Sequence, residues 1–437
     1  MTSTPSLDET TVLDEIEVLA GDALEPDVAR EARRRRMLVA GSLLVFVLTR
    51  AAAGYVADHP GFYGPHRADG TGDVYLYDQY TWDMRHLGAN AYRDLRVEYP
   101  PGAIPVLMVP RYVRAVSYRT EFIVLMMGFD ALGLWGLVRI ACRGGSWWGA
   151  ATWLALVPLL GVVSYTRFDM VVAVALVWAL ERARAGKWKQ TGALLAVGAA
   201  VKLVPVALVP LVYFVAPRRQ RRGFLLTTAG VIALTLVPFA FELPDLWQSV
   251  IHYHAARGVQ AESVWGAALL VARRLAEYPV RVVASHRAYD AVSSVSATLK
   301  TVSNLLCVAA LLATTGLAAR TRRSDVARLS VLLFGSLTLL IGLGSVYSPQ
   351  YLLWVIGLGA AAMALAPRRT APAVAVLAVT VALAQLEFPM WFWDVLFFDK
   401  GGALVDLVAR DVLTIGGGLV GLWCWRRAAA GCLTPSA

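Results

Sequence analysis

The stretch RRRRMLVAGSLLVFVLTRAAAGYVA, residues 33–57, decides the fold class of this sequence. Four arginines stand directly before an apolar run that is long enough to cross a bilayer as a helix, which takes about 20 residues. Similar apolar runs of roughly 17–25 residues recur along the chain, separated by short basic clusters. The pattern predicts an all-α polytopic integral membrane protein.

The composition supports this prediction. Of the 437 residues, 57% are hydrophobic and only 16% are charged, and the mean hydropathy is +0.56. Soluble domains carry about 25% charged residues. The net charge of +10 does not indicate nucleic-acid binding, because the basic residues flank apolar runs, where they direct topology. The four cysteines (Cys142, Cys307, Cys424 and Cys432) lack metal-ligand spacing and are interpreted as small apolar fillers.

The basic clusters define a topology, because cytoplasmic loops are enriched in Lys and Arg. With residues 33–36 in the cytoplasm, every basic cluster falls on the cytoplasmic side of a map with about twelve spans. Both termini are then cytoplasmic, and two large loops, 58–117 and 241–296, lie outside. The predicted segments are a disordered cytoplasmic tail (1–36), a transmembrane domain (37–427) and a cytoplasmic C-terminal tail (428–437).

The map depends on a broken helix. The apolar residues 190–216 lie between two basic loops, and both loops are cytoplasmic only if the segment forms a hairpin of two short helices. We expect the break near Lys202 and Pro205, and broken helices at membrane depth usually line a cavity. A single long span would invert the topology that follows. The short apolar run 102–113 contains prolines and is predicted to be re-entrant or surface-lying.

The map also brings polar residues from distant segments to the outer face. The first outer loop contains the acidic, tyrosine-rich stretch GDVYLYDQYTWDMRHLGANAYRDLRVEYPPG, residues 72–102, and the second contains HYHAARGVQAES, residues 252–263. This convergence predicts a binding or catalytic site on the outer face. The polar layer also includes Arg167, Asp169, Lys202, Gln350, Tyr351, Glu387 and Trp391.

Several of these residues also have a purely structural interpretation. Asp73 begins a predicted surface helix, so it is as well placed to be the N-cap of that helix as to be a catalytic residue. Glu98 precedes Tyr-Pro-Pro, where its structural role would be to order a turn. Lys202 lies within apolar sequence, where an ionised group is costly, so function is its default interpretation. Arg50, at the outer end of the first span, either extends to the interface or faces a phosphate. Asp130 is expected to pair with another helix.

The absent motifs narrow the function classes. The sequence has no P-loop, no GxSxG and no dinucleotide fingerprint, and its loops have no HExxH or DxD pattern. This argues against an ATP-driven pump and a hydrolase. Asp73 and Glu262 are able in principle to share a cation, but no residue pattern requires one. We therefore predict no metal and no cofactor.

Five segments, in this order, resemble glycosyltransferase family 87: GDVYLY (72–77), AYRDLRVEYPPGA (91–103), AVKLVPVALVPL (200–211), HYHAARGVQAESVW (252–265) and YSPQYLLW (347–354). The resemblance covers roughly residues 37–427. It implies the membrane-embedded GT-C fold with a large first extracytoplasmic loop. It also implies an enzyme that depends on a polyprenyl-phosphate sugar, as bacterial α-1,2-mannosyltransferases do.

The resemblance implies roles for particular residues as well. Enzymes of this fold carry the catalytic base in the first outer loop, which by position is Asp73. Cations that bind the donor phosphate would be Lys202, Arg257, Arg167 and Arg50. Side chains that bind the sugar or the acceptor would be Tyr75, Asp94, Glu98, Tyr99, His254, Gln260, Glu262, Gln350, Tyr351 and Trp391. The acceptor is expected to be a hydroxyl of a cell-envelope lipid or glycan, and the reaction is expected to invert the anomeric configuration.

Two alternatives remain at this stage. A polytopic transporter or lipid-linked sugar flippase would suit a broken hairpin and an intramembrane lysine, but the sequence has no internal repeat and its polar residues gather on one face. The same fold with arabinose or another donor sugar would need a similar site, and mannose is favoured only as the common donor sugar of the family. The abundance of Ala, Val, Leu and Arg is typical of a high-GC bacterium, so a multi-pass location in the bacterial plasma membrane is predicted.

Overall fold

The computed structural model describes residues 9–59, 61–64, 72–113, 115–398 and 400–430, with side chains described from residue 29 to residue 427. The chain divides into two compact units, Met1–Leu48 and Thr49–Ala437. In its described part, the first unit is the beginning of one long helix, α1 (Glu9–Asp58). The second unit contains the other elements.

Helices follow α1 through the second unit. They are α2 (Gly72–His86), α3 (Ala103–Val113), α4 (Tyr118–Cys142), α5 (Trp148–Leu159), α6 (Asp169–Arg184), α7 (Trp188–Val201), α8 (Val209–Val215), α9 (Arg218–Leu236), α10 (Leu243–Leu246), α11 (Tyr253–Ala256), α12 (Val264–Ala276), α13 (Ser296–Arg320), α14 (Val326–Leu343), α15 (Leu352–Leu365), α16 (Pro367–Gln385), α17 (Phe392–Leu396) and α18 (Gly401–Ala430). Two strands, β1 (Arg281–Ser285) and β2 (Ala288–Val292), stand between α12 and α13. Short 3-10 turns occupy Gly161–Ser164, Val204–Leu208, Val237–Glu242 and Pro349–Tyr351, and π-helical turns occupy Trp247–His252 and Leu386–Trp391.

The protein is a mainly helical, multi-pass membrane protein. In the described part of the chain, six helical stretches are long and apolar enough to cross a membrane: Ala29–Asp58, Tyr118–Cys142, Arg218–Ala256, Ser296–Arg320, Val326–Leu343 and Pro367–Leu396. Shorter apolar helices occupy Ala103–Val113, Trp148–Leu159, Val204–Val215 and Pro349–Leu365. Every segment predicted to span the membrane contains helix. The number of about twelve spans remains a prediction.

The structure refines the sequence predictions at several places. Residues 9–36, predicted as a disordered tail, lie within α1, where an ion pair between Arg35 and Glu31 (3.0 Å) has the spacing that supports a helix. The outermost parts of both predicted tails, residues 1–8 and 431–437, lie outside the described residues. The expected helix break is present, because α7 ends at Val201 and Lys202 has an extended backbone (φ −146°, ψ 137°). The short run at 102–113 forms α3.

The core of the second unit is built around α15. Each of its residues from Leu352 to Ala364 is buried, and the helix packs against α5, α6, α14 and α16. Small residues let these helices approach closely, as is usual between membrane helices. In contrast, α9 and α13 keep most of their apolar side chains exposed, as expected for helices that face lipid.

The backbones of α14 and α18 approach each other closely where glycines meet. A Cβ atom built on Gly335 would lie 2.9 Å from the backbone nitrogen of Leu422, and one on Gly421 would lie 2.8 Å from the Cα of Gly335. Backbone atoms of a packed helix cannot move aside as a flexible side chain can. Glycine is therefore required at this crossing.

The loop 241–296, which the sequence analysis predicts to lie outside, contains a β-hairpin that the all-α prediction did not include. Strands β1 and β2 are antiparallel, and Ser285 pairs with Ala288 across a two-residue turn. Both turn residues, His286 and Arg287, have positive φ (46° and 56°), which is the geometry of a type I′ turn. Backbone hydrogen bonds between 259–261 and β2, from Ala261 N to Tyr289 O and from Ala291 N to Val259 O (both 2.8 Å), fasten the hairpin to the preceding loop.

A buried network of charged groups joins this loop to α18. Arg410 is fully buried and donates hydrogen bonds to Glu387 (2.6 Å), to Asp411 (2.8 Å) and to the backbone oxygen of Glu262. Its guanidinium also lies 4.3 Å from the centre of the Tyr347 ring. A buried charge is tolerated only with such partners. Arg410 therefore anchors the loop that contains Glu262.

Two carboxyl groups in this network are hydrogen-bonded to each other, those of Glu262 and Glu387. Glu262 lies in the loop, outside the candidate membrane spans. Burial and the neighbouring carboxylate of Glu387 raise the pKa of Glu262 from 4.5 to about 8. Two carboxylates in contact do not readily ionise together, so the Glu262–Glu387 pair holds one proton to a higher pH than an isolated glutamate does.

The Gly335→Ala variant tests the helix crossing. Alanine normally stabilises a helix relative to glycine by up to about 1 kcal/mol. At residue 335 the added methyl meets the backbone of α18, and such overpacking costs about 1–3 kcal/mol. We expect thermal unfolding in detergent to occur at a lower temperature. The control is Gly316→Ala on α13, where the added methyl meets nothing within 4 Å; equal unfolding temperatures for the two variants would contradict the crossing.

The Glu262→Gln variant tests the shared proton. The folded protein holds this proton to a higher pH than the unfolded chain does, so its contribution to stability is complete at low pH and is lost as the pH rises from about 4.5 to about 8. The thermal stability of the wild type should fall over this range, and Glu262→Gln should remove that part of the fall. The matched change Glu277→Gln, at an exposed glutamate, should leave the pH dependence as in the wild type. An unchanged dependence in Glu262→Gln would contradict the protonated state.

Candidate active site

The candidate active site is built first from the beginning of α2. Asp73 lies in the first turn of this helix, where a carboxylate is favoured by the helix dipole. One of its oxygens lies 2.6 Å from Nε of Arg167. The Asp73 side chain is 32% exposed and that of Arg167 only 9%. The carboxylate is therefore open to a substrate on one side and held by a buried cation on the other.

A second carboxylate–cation pair lies beside the first. Lys202, at the break between α7 and the following 3-10 turn, places Nζ 2.7 and 2.8 Å from the two oxygens of Asp169 at the start of α6. Asp169 is fully buried and Lys202 nearly so. The break is what allows this geometry, because the extended residue 202 turns its side chain away from the axis of α7.

Aromatic rings surround the ammonium of Lys202. Its Nζ lies 4.9 Å from the ring centre of Phe168, 5.5 Å from Trp354, 5.6 Å from Tyr351 and 6.0 Å from Tyr99. These distances are in the range of cation–π attraction, about 6 Å or less. The rings shield the ammonium from water, and their negative faces attract it.

The same rings connect the two ion pairs. Tyr77, one turn after Asp73, contacts Tyr99 edge-on with ring centres 5.9 Å apart, and Tyr99 contacts Phe168 at 4.7 Å. Phe168 stands between Arg167 and Asp169 in the chain. Burial and the charge of Asp73 raise the pKa of Tyr77, so its hydroxyl stays protonated and serves as a donor.

A third carboxylate, Glu98, has its own set of partners. It accepts a hydrogen bond from the hydroxyl of Tyr80 (2.8 Å), and Nε of Arg287 lies 3.7 Å from its other oxygen. Burial and this carboxylate raise the pKa of Tyr80, which keeps the phenol as the donor. Nε2 of His254 lies 3.1 Å from the backbone oxygen of Glu98. Glu98 is thus held through both its side chain and its backbone oxygen.

Arg257 differs from the other cations of the site. Its guanidinium contacts the side-chain oxygen of Gln260 at 3.5 Å and the hydroxyl of Tyr351, both neutral groups. In the described part of the chain it has no carboxylate partner at ion-pair distance, and Asp290 acts on it only from further away. Its Nε atom is buried without a hydrogen-bond acceptor. Such an orphaned donor is costly unless a ligand satisfies it.

Two side chains of the loop 241–296 indicate that these groups share one site. The Tyr253 hydroxyl lies within electrostatic range of Glu98, Arg257, Arg287 and Asp73. The imidazole of its neighbour His254 lies within range of Arg257, Lys202 and His286. The structure therefore brings together parts of α2, α6, the α7 break and the loops 58–117 and 241–296.

Most of the sequence-predicted residues fall in or beside this cluster. They are Asp73, Glu98, Tyr99, Arg167, Lys202, His254, Arg257, Gln260 and Tyr351, joined to Glu262 by a hydrogen bond from Gln260. Gln350 accepts a hydrogen bond from Ser348. Nothing in these contacts assigns a chemical role to Gln350.

Other predicted residues are placed differently. Arg50 is 2% exposed and binds both oxygens of Asp130 (2.8 and 3.2 Å), which gives Asp130 the pairing with another helix that the sequence predicted. Tyr75 is 75% exposed, and Asp94 pairs with its exposed neighbour Arg93. Trp391 packs against the apolar cluster of α12, α17 and α18. The structure does not bring these residues into the cluster.

The residue that sequence reasoning missed is Arg287. The alternation in RVVASHRAYDAV, residues 281–292, is a strand–turn–strand signal that would have predicted the hairpin. It would not have revealed that the tip meets Glu98, because this contact joins residues far apart in the chain.

In the described part of the chain, no group of three or more His, Cys, Asp or Glu side chains is arranged to hold a metal ion.

Comparison with known proteins identifies the family. A search of curated proteins gives no significant match. Among solved structures, the chain is similar to ArnT from Cupriavidus metallidurans in the apo state (18% identity, TM-score 0.45) and bound to undecaprenyl phosphate (17% identity, TM-score 0.44), each time over 90% of this chain and 79% of the other. These TM-scores are too low for details of those structures to be carried over. Residues 98–343 match the family model of glycosyltransferase family 87. Because the match covers more than half of the chain, the chain belongs to glycosyltransferase family 87.

Proposed function

We propose that this protein transfers a hexose, with mannose the first candidate, from a polyprenyl-phosphate sugar to a hydroxyl of a cell-envelope lipid or glycan. The observation that carries the proposal is a partly exposed carboxylate, Asp73, in one cluster with the cations Arg167, Lys202 and Arg257. Transfer from a lipid phosphate needs a base for the acceptor hydroxyl and cations for the leaving phosphate.

Charge balance supports a phosphate-linked donor. Arg167 is balanced by Asp73 and Lys202 by Asp169, whereas Arg257 has neutral partners and an unfilled Nε. The donor is a phosphodiester with one negative charge, and the departing phosphate monoester carries about −1.5 to −2 at pH 7. Arg257 suits the single charge of the bound phosphodiester. Arg167 and Lys202 are near enough to stabilise the additional charge that develops on the departing phosphate.

The proposed reaction is a single displacement. The Asp73 carboxylate accepts the proton of the acceptor hydroxyl while that oxygen attacks the anomeric carbon. The bond between this carbon and the phosphate oxygen breaks, and its electron pair stays on the lipid phosphate. Displacement in one step inverts the configuration of the anomeric carbon. As charge develops on the phosphate, Arg167 shifts part of its electrostatic attraction from Asp73 to the phosphate, which leaves the carboxylate more basic when the proton arrives.

The other residues of the cluster would bind and orient the sugars. His254 contacts the backbone of Glu98, and Tyr99 lies beside Lys202. Gln260, Glu262 and Tyr351 hold Arg257 and its loop. No cofactor is needed for this chemistry, since the polyprenyl-phosphate sugar is a co-substrate. The proposal assigns no metal to the site.

The positions of the basic residues support an extracytoplasmic site. The site lies near the first turns of α4 and α6, through Phe122 and Asp169. At the other ends of these helices, Arg139 and Arg143 pair with Glu181. Because Arg- and Lys-rich ends lie in the cytoplasm, the proposed orientation puts the site on the outer face of a bacterial plasma membrane. Both termini are then cytoplasmic.

The remaining alternatives concern the substrates. Membership of a glycosyltransferase family gives no support to the transporter or flippase alternative. Arabinose or another donor sugar would use the same carboxylate and cations. The choice between sugars is therefore made by assaying donors that share the lipid phosphate and differ in the sugar.

Asp73→Asn tests the base. Amide nitrogen cannot accept the proton, so transfer from polyprenyl-phosphate-mannose to an envelope lipid extract should fall by about 100-fold to 10,000-fold in purified protein. Donor binding should persist because the cations are unchanged. Asp83→Asn, on the same helix, serves as the matched control and should retain activity. If the two variants transfer sugar at equal rates, Asp73 is not the base, and Asp94 and Glu98 become the candidates.

Arg257→Gln tests the phosphate site. Loss of a hydrogen bond to a charged group costs about 1.5–3 kcal/mol, so the Kd for polyprenyl phosphate should rise by about 10-fold to 100-fold. The exposed Arg281, changed to Gln, provides the control for loss of one positive charge. Binding that is equally tight in both variants would remove Arg257 from the donor site.

A further inference from the structure

The tip of the β-hairpin is held in a fixed position against α2 and Glu98. Its base is hydrogen-bonded to the segment 259–261 through Tyr289 and Ala291, and Gln260 forms a further bridge to Asp290. At the tip, the ring centre of His286 lies 4.9 Å from that of Tyr253, edge-on. The hairpin is therefore fastened at both ends.

The two turn residues are unusual for their backbone geometry. Both have positive φ, a conformation that glycine and asparagine adopt at lower cost than histidine or arginine. Closing the hairpin alone would favour those residues. The side chains of His286 and Arg287 must therefore contribute something that offsets the backbone cost, and their contacts show where they act.

Arg287 and Glu98 form a loose pair over an aromatic ring. The guanidinium lies 5.0 Å from the centre of the Tyr80 ring, and its Nε is 3.7 Å from Glu98, which is longer than a hydrogen bond. The Arg287 side chain is 42% exposed, whereas that of Glu98 is 5% exposed. A donor-rich plane and a carboxylate thus stand side by side, so that each can bind one of two neighbouring hydroxyl groups.

The charges of this part of the site differ from those near Arg257. Glu98 and Arg287 compensate each other, and their neighbours Tyr80 and Tyr253 are uncharged phenols. Because Arg287 and Glu98 compensate each other, this pair leaves no cation over for a second phosphate. Adjacent hydroxyl groups, in contrast, are recognised by a carboxylate that accepts, a guanidinium that donates in a fixed plane, and an aromatic face that packs against the sugar ring.

We propose that the hairpin tip and α2 form the acceptor subsite, which binds a neutral saccharide, and that Arg287 with Glu98 engages two of its neighbouring hydroxyl groups. This inference rests on the proposed function, since it names the chemical class of the acceptor. A saccharide held here presents a further hydroxyl toward Asp73, which lies within electrostatic range of the same Tyr253. The cationic part of the cluster remains for the donor phosphate.

Kinetics of Arg287→Gln test the subsite. Using polyprenyl-phosphate-mannose and short mannose oligosaccharides, we expect the KM for the oligosaccharide to rise about 10-fold or more, because a charged hydrogen-bond donor is lost. The KM for the donor should stay unchanged. Arg281→Gln, at the exposed start of the same hairpin, should leave both values unchanged. A rise in the donor KM instead would place Arg287 on the phosphate side and overturn the proposal.

Arg287→Lys separates recognition by shape from recognition by charge. Lysine keeps the positive charge but loses the planar fork, so it should not restore the KM for the oligosaccharide. Full restoration by lysine would indicate an anionic acceptor group and contradict a neutral saccharide.

Binding of the oligosaccharide is measured separately by saturation-transfer NMR on the protein in lipid nanodiscs, with polyprenyl phosphate present. Saccharide signals that are seen in the wild type and lost in Arg287→Gln support the subsite even if no sugar is transferred, which would count against the proposed reaction alone. Equal signals in both proteins would overturn the subsite even if transfer proceeds.

Discussion

The ion pair between Lys202 and Asp169 is the interaction on which the site depends. A charged side chain inside a helical membrane protein needs a partner, and here the partner is a fully buried carboxylate at the start of α6. The pair fixes the interrupted segment between α7 and α8 against α6, and the rings of Phe168, Tyr351 and Trp354 close around it. Every other group of the site is positioned relative to this point.

Pairing also determines which charges remain available for substrates. Asp73 and Arg167 satisfy each other at a surface that is partly open, while Arg257 is held by neutral groups. Within the described residues, Arg257 thus has no carboxylate at ion-pair distance, and it stands near the carboxylate of Asp73, whose partner Arg167 is itself a residue type that binds phosphate. Such an arrangement is stable without substrate and yet responds to an anion, because the incoming charge competes for guanidinium groups that are already in place.

Sequence patterns predicted the helical character of the chain and named many of the residues that the structure brings together, but they did not predict contacts between distant residues. Lys202 could be identified because it combines a charge in apolar sequence with a nearby proline that interrupts the helix. Arg50 carries the same charge in apolar sequence, but it lies in an uninterrupted helix, and its partner Asp130 is 80 residues away. From sequence alone, a charged residue in a buried structural ion pair cannot be told from one that binds a ligand, because the residue it contacts is not known. Arg287 gave no signal, because its role arises only when the hairpin tip reaches Glu98. Residues 9–36 were predicted as disordered because they lack apolar periodicity, yet they lie in helix.

The hydrogen bonds between β2 and residues 259–261 have a consequence for the order of events in catalysis. They join the hairpin to the loop that contains Arg257 through backbone hydrogen bonds. Arg410 of α18 holds the same loop through the backbone oxygen of Glu262. A substrate that immobilises the Arg257 loop therefore also orders the hairpin tip, and the reverse holds as well. The second substrate then loses less conformational entropy when it binds. The two substrates are therefore expected to bind with positive cooperativity, each lowering the dissociation constant of the other by the same factor. Such mutual reinforcement would disfavour attack by water on a donor that has bound alone.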